Sequence, residues 1–128
     1  MEYIKNLPFN WCLLRARLRE ILFKDFSGSA ALIAGCRAPQ KFESLRDAYL
    51  LRMQVLSAPP QNAHEVLLDL SNFRWFQAPA SPEDRYAAAY CQYMLAALSN
   101  NHANRRQLEK ELHQSPVSSL YKEVLKVM

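Results

Sequence analysis

The residues of this sequence that could carry out acid–base or nucleophilic chemistry do not have the spacing that catalysis or metal binding requires. Glu83 and Asp84 are adjacent, but acidic side chains in the first turn of a helix are explained by their interaction with the helix dipole. The histidines lie near predicted helix ends without a zinc-type spacing such as HExxH; they are His64, His102 and His113. Two glycines in 128 residues exclude a Gly-rich phosphate loop. We therefore predict a noncatalytic protein with no metal and no cofactor.

The three cysteines predict neither a disulfide framework nor a zinc site, because they are odd in number and far apart: Cys12, Cys36 and Cys91. Each lies among apolar residues, where cysteine usually packs as a small hydrophobe. The N-terminal residues lack the layout of a secretory signal, and no run approaches the ~20 apolar residues of a membrane span. We expect a protein of the reducing cytoplasm without a membrane span.

Basic residues are concentrated in the N-terminal part of the chain. Residues 1–52 hold nine Lys/Arg against five Asp/Glu, whereas residues 53–128 hold seven of each. Ala31 and Gly35 have the spacing of a helix-turn-helix over residues 30–50, although Lys41 occupies a position that this motif gives to an aliphatic residue. Nucleic-acid binding is thus the alternative function, with these candidate phosphate contacts: Arg15, Arg19, Arg37, Lys41 and Arg46.

Apolar periodicity predicts an all-α, single-domain protein of six or seven helices. The expected helices cover residues 8–26, 27–36, 40–57, 62–73, 81–99, 103–113 and 115–127, with an aromatic loop at 73–80. Pro8, Ser27 or Ser29, Asn62, Ser81 and Ser115 provide the start signals. We expect basic N-terminal helices in residues 1–39 and antiparallel helical hairpins in residues 40–128.

The first predicted helix is apolar on two sides. At about 100° per residue, one stripe contains Trp11, Leu14, Leu18, Ile21 and Leu22, and the other contains Phe9, Leu13, Ala16 and Phe23. Glu20 interrupts the apolar surface, so the pattern favours a core helix over a membrane-surface helix. We expect this helix to be wedged between neighbouring helices.

The fifth predicted helix carries an aliphatic stripe, expected to be core, and a tyrosine stripe about 100° away. Tyrosine, tryptophan and arginine are enriched in protein interfaces, but tyrosines also pack in cores with their hydroxyls at the rim. Both interpretations stay open from the sequence. The candidate partner-binding residues are Tyr86, Tyr90, Tyr93, Trp75, Phe76 and Tyr49.

Two weak internal periods accompany this pattern. Ser-Pro helix starts at 81 and 115 are 34 residues apart, and Tyr49, Met53 and Leu67 recur 41 residues later at Tyr90, Met94 and Leu108. With Pro116 at the position of the closing proline, residues 42–128 resemble tetratricopeptide-like helical-hairpin modules. The resemblance implies an adaptor or chaperone that holds a helix or an extended segment of a partner protein, like small bacterial secretion chaperones. An obligate hetero-complex or a homodimer is consistent with it.

Overall fold

The computed structural model describes the backbone of residues 2–125 and the side chains of residues 8–40, 42–59 and 61–125. The described chain folds into eight α-helices, and no strand occurs within these residues. The helices are α1 Glu2–Phe23, α2 Phe26–Ala34, α3 Glu43–Ser57, α4 Pro60–Leu68, α5 Arg74–Gln77, α6 Pro82–Leu98, α7 His102–Gln114 and α8 Ser119–Val124. The all-α prediction is confirmed. None of the described helices is long and apolar enough to cross a membrane.

The start of α6 was predictable from its side-chain cap and the acidic residues of its first turn. Ser81 caps α6, since its hydroxyl accepts a hydrogen bond from the Asp84 amide at 3.1 Å, and Pro82 is the first helical residue as expected. The predicted cap of α2 is wrong. Asp25 caps it by accepting a hydrogen bond from the Gly28 amide at 3.0 Å.

Several other helix boundaries also differ from the prediction. The α1 helix begins at Glu2 and continues through Pro8, although a proline inside a helix removes one backbone hydrogen bond and crowds the preceding turn. The α4 helix begins at Pro60 rather than near Asn62, and α8 is capped by Ser118 rather than Ser115. The expected aromatic loop contains the short helix α5.

The helices α3 and α6 form the centre of the fold. The α3 helix packs against α2, α4 and α6, while α6 also packs against α5 and α7; α1 packs against α2 and α8. Buried side chains from Phe9 to Leu125 form one continuous hydrophobic core. The first four helices and the series from α5 to α7 therefore pack in chain order, and α1 contacts α2 and α8.

The tyrosine helix α6 is covered on both of its apolar stripes. Tyr86 is 4 % exposed and Tyr90 and Tyr93 are 0 % exposed, and the aliphatic stripe of Cys91 and Met94 is buried as predicted. The question that the sequence left open is thus answered: this chain itself covers the tyrosines.

Candidate interaction surface

The aromatic residues predicted to bind a partner lie in the core. Each tyrosine hydroxyl finds a hydrogen-bond partner inside the chain, which allows the whole ring to be buried. The Tyr90 hydroxyl accepts a hydrogen bond from Nε of Arg52 at 2.8 Å, and the Tyr93 hydroxyl accepts one from Nε of Arg105 at 3.3 Å. Tyr90 and Tyr93 therefore offer no surface to a partner in this structure.

The remaining aromatic candidates are also packed against the chain. Trp75 is buried, its Nε1 donates to Oδ2 of Asp47 at 3.1 Å, and Phe76 contacts its ring edge-on. Tyr49 is 0 % exposed, and its hydroxyl donates to Glu20 at 3.4 Å. The predicted aromatic binding surface is therefore packed within the chain in this structure.

A buried charge network anchors α1 to the centre of the fold. The Glu20 carboxylate pairs with Arg17 on its own helix and with Arg52 on α3, and it accepts the Tyr49 hydroxyl hydrogen bond. Arg52 extends the network to Tyr90 on α6. Glu20 thus interrupts the apolar stripe of Phe9, Leu13 and Ala16, as the sequence indicated, and its charge is buried there between two cations.

Burial changes the pKa values of the tyrosines that contact this network. Desolvation raises the pKa of Tyr49 and of Tyr90 far above the ordinary tyrosine value, and for Tyr49 the nearby Glu20 charge adds to the shift. The phenols therefore stay neutral over the physiological range. The network orients α1 and is closed to solvent, since the side chains of Glu20, Arg17 and Arg52 are at most 10 % exposed.

The outer side of α1 presents a continuous apolar surface to solvent. The exposed fractions are 59 % for Trp11, 37 % for Leu14, 47 % for Leu18, 52 % for Ile21, 67 % for Leu22 and 74 % for Phe23. The first five lie within an arc of about 100° on the helix, and Phe23 lies about 100° beyond Leu22 at the C-terminal end, past Arg19. We call these six residues the α1 face. The expectation that α1 is wedged between neighbours is wrong on this side, and it is also wrong for Phe23, which the sequence pattern placed in the other stripe; Phe9, Leu13 and Ala16 of that stripe are buried.

The N-terminal part of the α1 face borders an open groove. Its volume is about 400 Å³, and it is lined by Pro8, Asn10, Trp11, Leu14 and Leu120 of α8. Asn10 is occupied by an internal contact, because its Oδ1 accepts a hydrogen bond from the Tyr121 hydroxyl at 2.9 Å. An apolar side chain from another molecule could enter this groove without leaving a polar group unsatisfied.

Two arginines border the α1 face along one edge. Arg15 and Arg19 follow the apolar arc at about 40° and 80° from Trp11, and both are exposed. Nε of Arg19 lies 2.9 Å from Oδ2 of Asp25. The Gly28 amide, and then Arg19, hold the pKa of the Asp25 carboxyl below its usual value. Arg19 is therefore paired with Asp25 within the chain, while Arg15 adds an exposed cation to this edge of the α1 face.

The helix-turn-helix interpretation fits poorly with the position of α3, which would be the recognition helix. A recognition helix must present a free face to the major groove. Eight side chains of α3 are instead buried, among them Leu45, Tyr49 and Met53. Of the candidate phosphate contacts, Arg37 is exposed, Arg46 lies 3.4 Å from Asp47, and the side chain of Lys41 is outside the described residues.

A disulfide joins Cys12 of α1 to Cys36, which follows α2. The prediction of three unpaired cysteines is wrong here, because the packing of α1 on α2 brings two residues 24 positions apart to a Cα–Cα distance of 6.4 Å. Disulfides persist mainly in oxidising compartments, so the cytoplasmic location stays a prediction. Cys91 is a buried free thiol as expected, and burial raises its pKa to about 12.

The described side chains hold no cluster of three or more His, Cys, Asp or Glu residues that could bind a metal ion. Comparisons with protein-family models, with curated proteins and with solved structures give no match. The resemblance to tetratricopeptide-like modules therefore stays a prediction, and the function has to be argued from the surface of this chain alone.

Proposed function

We propose that this protein is a noncatalytic protein-interaction module that binds its partner through the α1 face. The observation that carries the proposal is the exposure of six large apolar side chains on one helix. Among the other described residues, only Leu68 is a large hydrophobic residue of comparable exposure. Scattered exposed leucines are ordinary, but a contiguous apolar surface on one helix is typical of a binding site.

The size of the α1 face supports a specific contact. The exposed parts of its side chains amount to on the order of 600 Å² of apolar surface, the upper end for monomeric proteins. A stable protein–protein interface buries about 800 Å² on each partner. With the stems of Arg15 and Arg19 included, the α1 face is large enough to form most of such an interface.

The surface is held in place before a partner arrives. The Cys12–Cys36 disulfide ties α1 to α2, the Ser29 hydroxyl donates to the Ala16 carbonyl at 2.9 Å, and the Glu20 network ties α1 to α3. Because the helix does not have to be ordered on binding, little of the interaction free energy is lost to conformational entropy.

The composition of the α1 face specifies the chemistry of its partner. An apolar surface must cover the leucines and Trp11, and carboxylates must lie opposite Arg15 and Arg19. An amphipathic helix of another protein, with acidic residues along one border, has this chemistry, and binding it through a helix face is a common recognition mode. An adaptor or chaperone role for the protein follows from this kind of contact.

The experiment is affinity capture from the native host with nuclease-treated extracts, followed by mass spectrometry. We compare the wild type with Leu22→Asp and use Leu68→Asp as the matched control, because both leucines are about two-thirds exposed, at 67 % and 62 %. We expect Leu22→Asp to lose partners that Leu68→Asp retains, while both keep the helical circular-dichroism signal. The same captured proteins with all three chains would contradict the proposal. If the wild type binds anionic lipid vesicles and Leu22→Asp does not, the partner of the α1 face is a membrane surface rather than a protein.

A further inference from the structure

A second apolar surface lies between α3 and α4. It is an open groove of about 420 Å³ with an apolar floor and two carboxylates in its lining. The apolar floor consists of Leu50, Leu51, Val66 and Phe73, and the two carboxylates belong to Asp47 and Asp69. No basic residue is among the described side chains that line it. We call this site the α3–α4 groove.

The two surfaces are complementary in charge and similar in polarity. Arg15 is an exposed cation at one edge of the apolar α1 face, and Asp69 is an exposed carboxylate in the lining of the apolar α3–α4 groove, whereas Arg19 and Asp47 already pair within the chain with Asp25 and Arg46. Asp69 is exposed, so its carboxylate can approach an arginine of another molecule without displacing a buried contact. The groove thus has the chemistry that the α1 face requires of its partner.

We infer that the protein self-associates, with the α1 face of one copy bound in the α3–α4 groove of a second copy. The inference rests on the proposed function, since it identifies one occupant of the same α1 face. Each copy carries one α1 face and one groove, so the contact joins copies in a closed assembly or an open chain, according to the rotation that it imposes between them. Pairing of two α1 faces in an antiparallel arrangement would instead place the arginines of both copies along the same edge, where they repel.

Self-association of this kind covers the surface that other proteins would use. The apolar side chains of the α1 face are then removed from water while no other partner is bound, which protects the chain from nonspecific aggregation. A heterologous partner has to compete with the second copy. Capture of a partner in extracts should therefore decrease as the concentration of this protein rises.

The test uses the purified chain in sedimentation velocity over a range of concentrations. The α1-face variant is Leu22→Asp, and the groove variant is Gln54→Lys with Asp69→Lys, two exposed positions in the groove lining. The matched control for the groove variant is Gln107→Lys with Glu111→Lys, which makes the same change in charge at exposed positions of α7. We expect both test variants to weaken self-association on the order of tenfold or more, since each sets a charge against an unsuitable surface. The α7 control should behave as the wild type.

Mixing the two weakened variants gives the decisive result. The Leu22→Asp chain retains an intact groove and the groove variant retains an intact α1 face, so the mixture should form one-to-one complexes that neither variant forms alone. A monomeric wild type at every concentration, a groove variant that associates normally, or a mixture that stays monomeric would each overturn the inference. None of these outcomes affects the proposed function, which fails only if capture of host proteins is independent of Leu22.

Discussion

Replacement of Glu20 by glutamine tests the buried charge network directly. The change preserves the size of the side chain but removes the one buried carboxylate between Arg17 and Arg52, whose side chains are 10 % and 7 % exposed. Two guanidinium groups would then be buried without a counter-charge. Breaking a buried ion pair by removing one partner typically costs about 3–5 kcal/mol.

The structure places the expected loss of unfolding free energy near the lower end of that range, at about 3 kcal/mol. Arg52 keeps its hydrogen bond to Tyr90, and Nη2 of Arg17 lies 3.9 Å from a carboxylate oxygen of Glu123. The Glu123 side chain is 56 % exposed, so its attraction for Arg17 is screened by water and recovers little. Since domains are stable by only about 5–15 kcal/mol, the loss is a large share of the total.

Urea unfolding followed by circular dichroism and tryptophan fluorescence measures this loss. Glu123→Gln is the matched control, because it removes a solvent-exposed carboxylate that contacts the same arginine, and we expect it to cost less than about 1 kcal/mol. The triple variant Arg17→Met, Glu20→Leu and Arg52→Met should recover much of the stability, since apolar side chains can replace a buried charge network. A Glu20→Gln protein within about 1 kcal/mol of the wild type would refute the reasoning.

Three further predictions follow from the core and from the disulfide. In alkaline solution stability should begin to fall near pH 9 and fall more steeply above about pH 10, because burial raises the folded-state pKa of the Cys91 thiol and of four tyrosines above their ordinary values of about 9 and 10. Tyrosinate absorbance at 295 nm should rise together with unfolding, and separate transitions would contradict this. These tyrosines are Tyr49, Tyr86, Tyr90 and Tyr121, with pKa values of about 12 for Tyr86 and Tyr121. The double variant Cys12→Ser with Cys36→Ser should lose about 3 kcal/mol of unfolding free energy, because the disulfide no longer constrains the unfolded chain. Thiol titration of the denatured wild type should find one free thiol, that of Cys91, and a count of three would show that the disulfide is absent. Tyr90→Ala should lower stability by about 3–5 kcal/mol in thermal or urea unfolding, whereas a stability unchanged from the wild type would mean that the ring is not core.

Helix boundaries were predictable where a local signal marks them. The α6 helix starts with Ser81–Pro82 as expected, and α3 ends at Ser57 as expected but begins at Glu43, three residues after the predicted start. The start of α1 was not predictable, because a proline in the first turns of a helix and a proline further along it look alike in a single sequence.

The apolar periodicity of the sequence does not predict which helices contact one another. Two apolar stripes on α1 indicate that both could be covered, but only the arrangement of α2 and α8 decides that the Trp11 stripe stays exposed. The same reasoning applies to α6, where Arg52 and Arg105 provide the hydrogen-bond partners that allow the tyrosines to be buried. Cys12 and Cys36 meet only because of the pairing of α1 with α2.

Fluorescence of Trp11 tests the central claim, that the α1 face is open in the isolated chain and covered by a protein partner. In a Trp75→Phe variant Trp11 is the only tryptophan, and its ring is 59 % exposed in the structure. We predict long-wavelength emission that acrylamide quenches efficiently in dilute protein, and a blue shift with loss of quenching when a captured partner is added. A Trp11 that is already shielded in dilute solution, or that stays fully quenchable in the complex, would contradict the account.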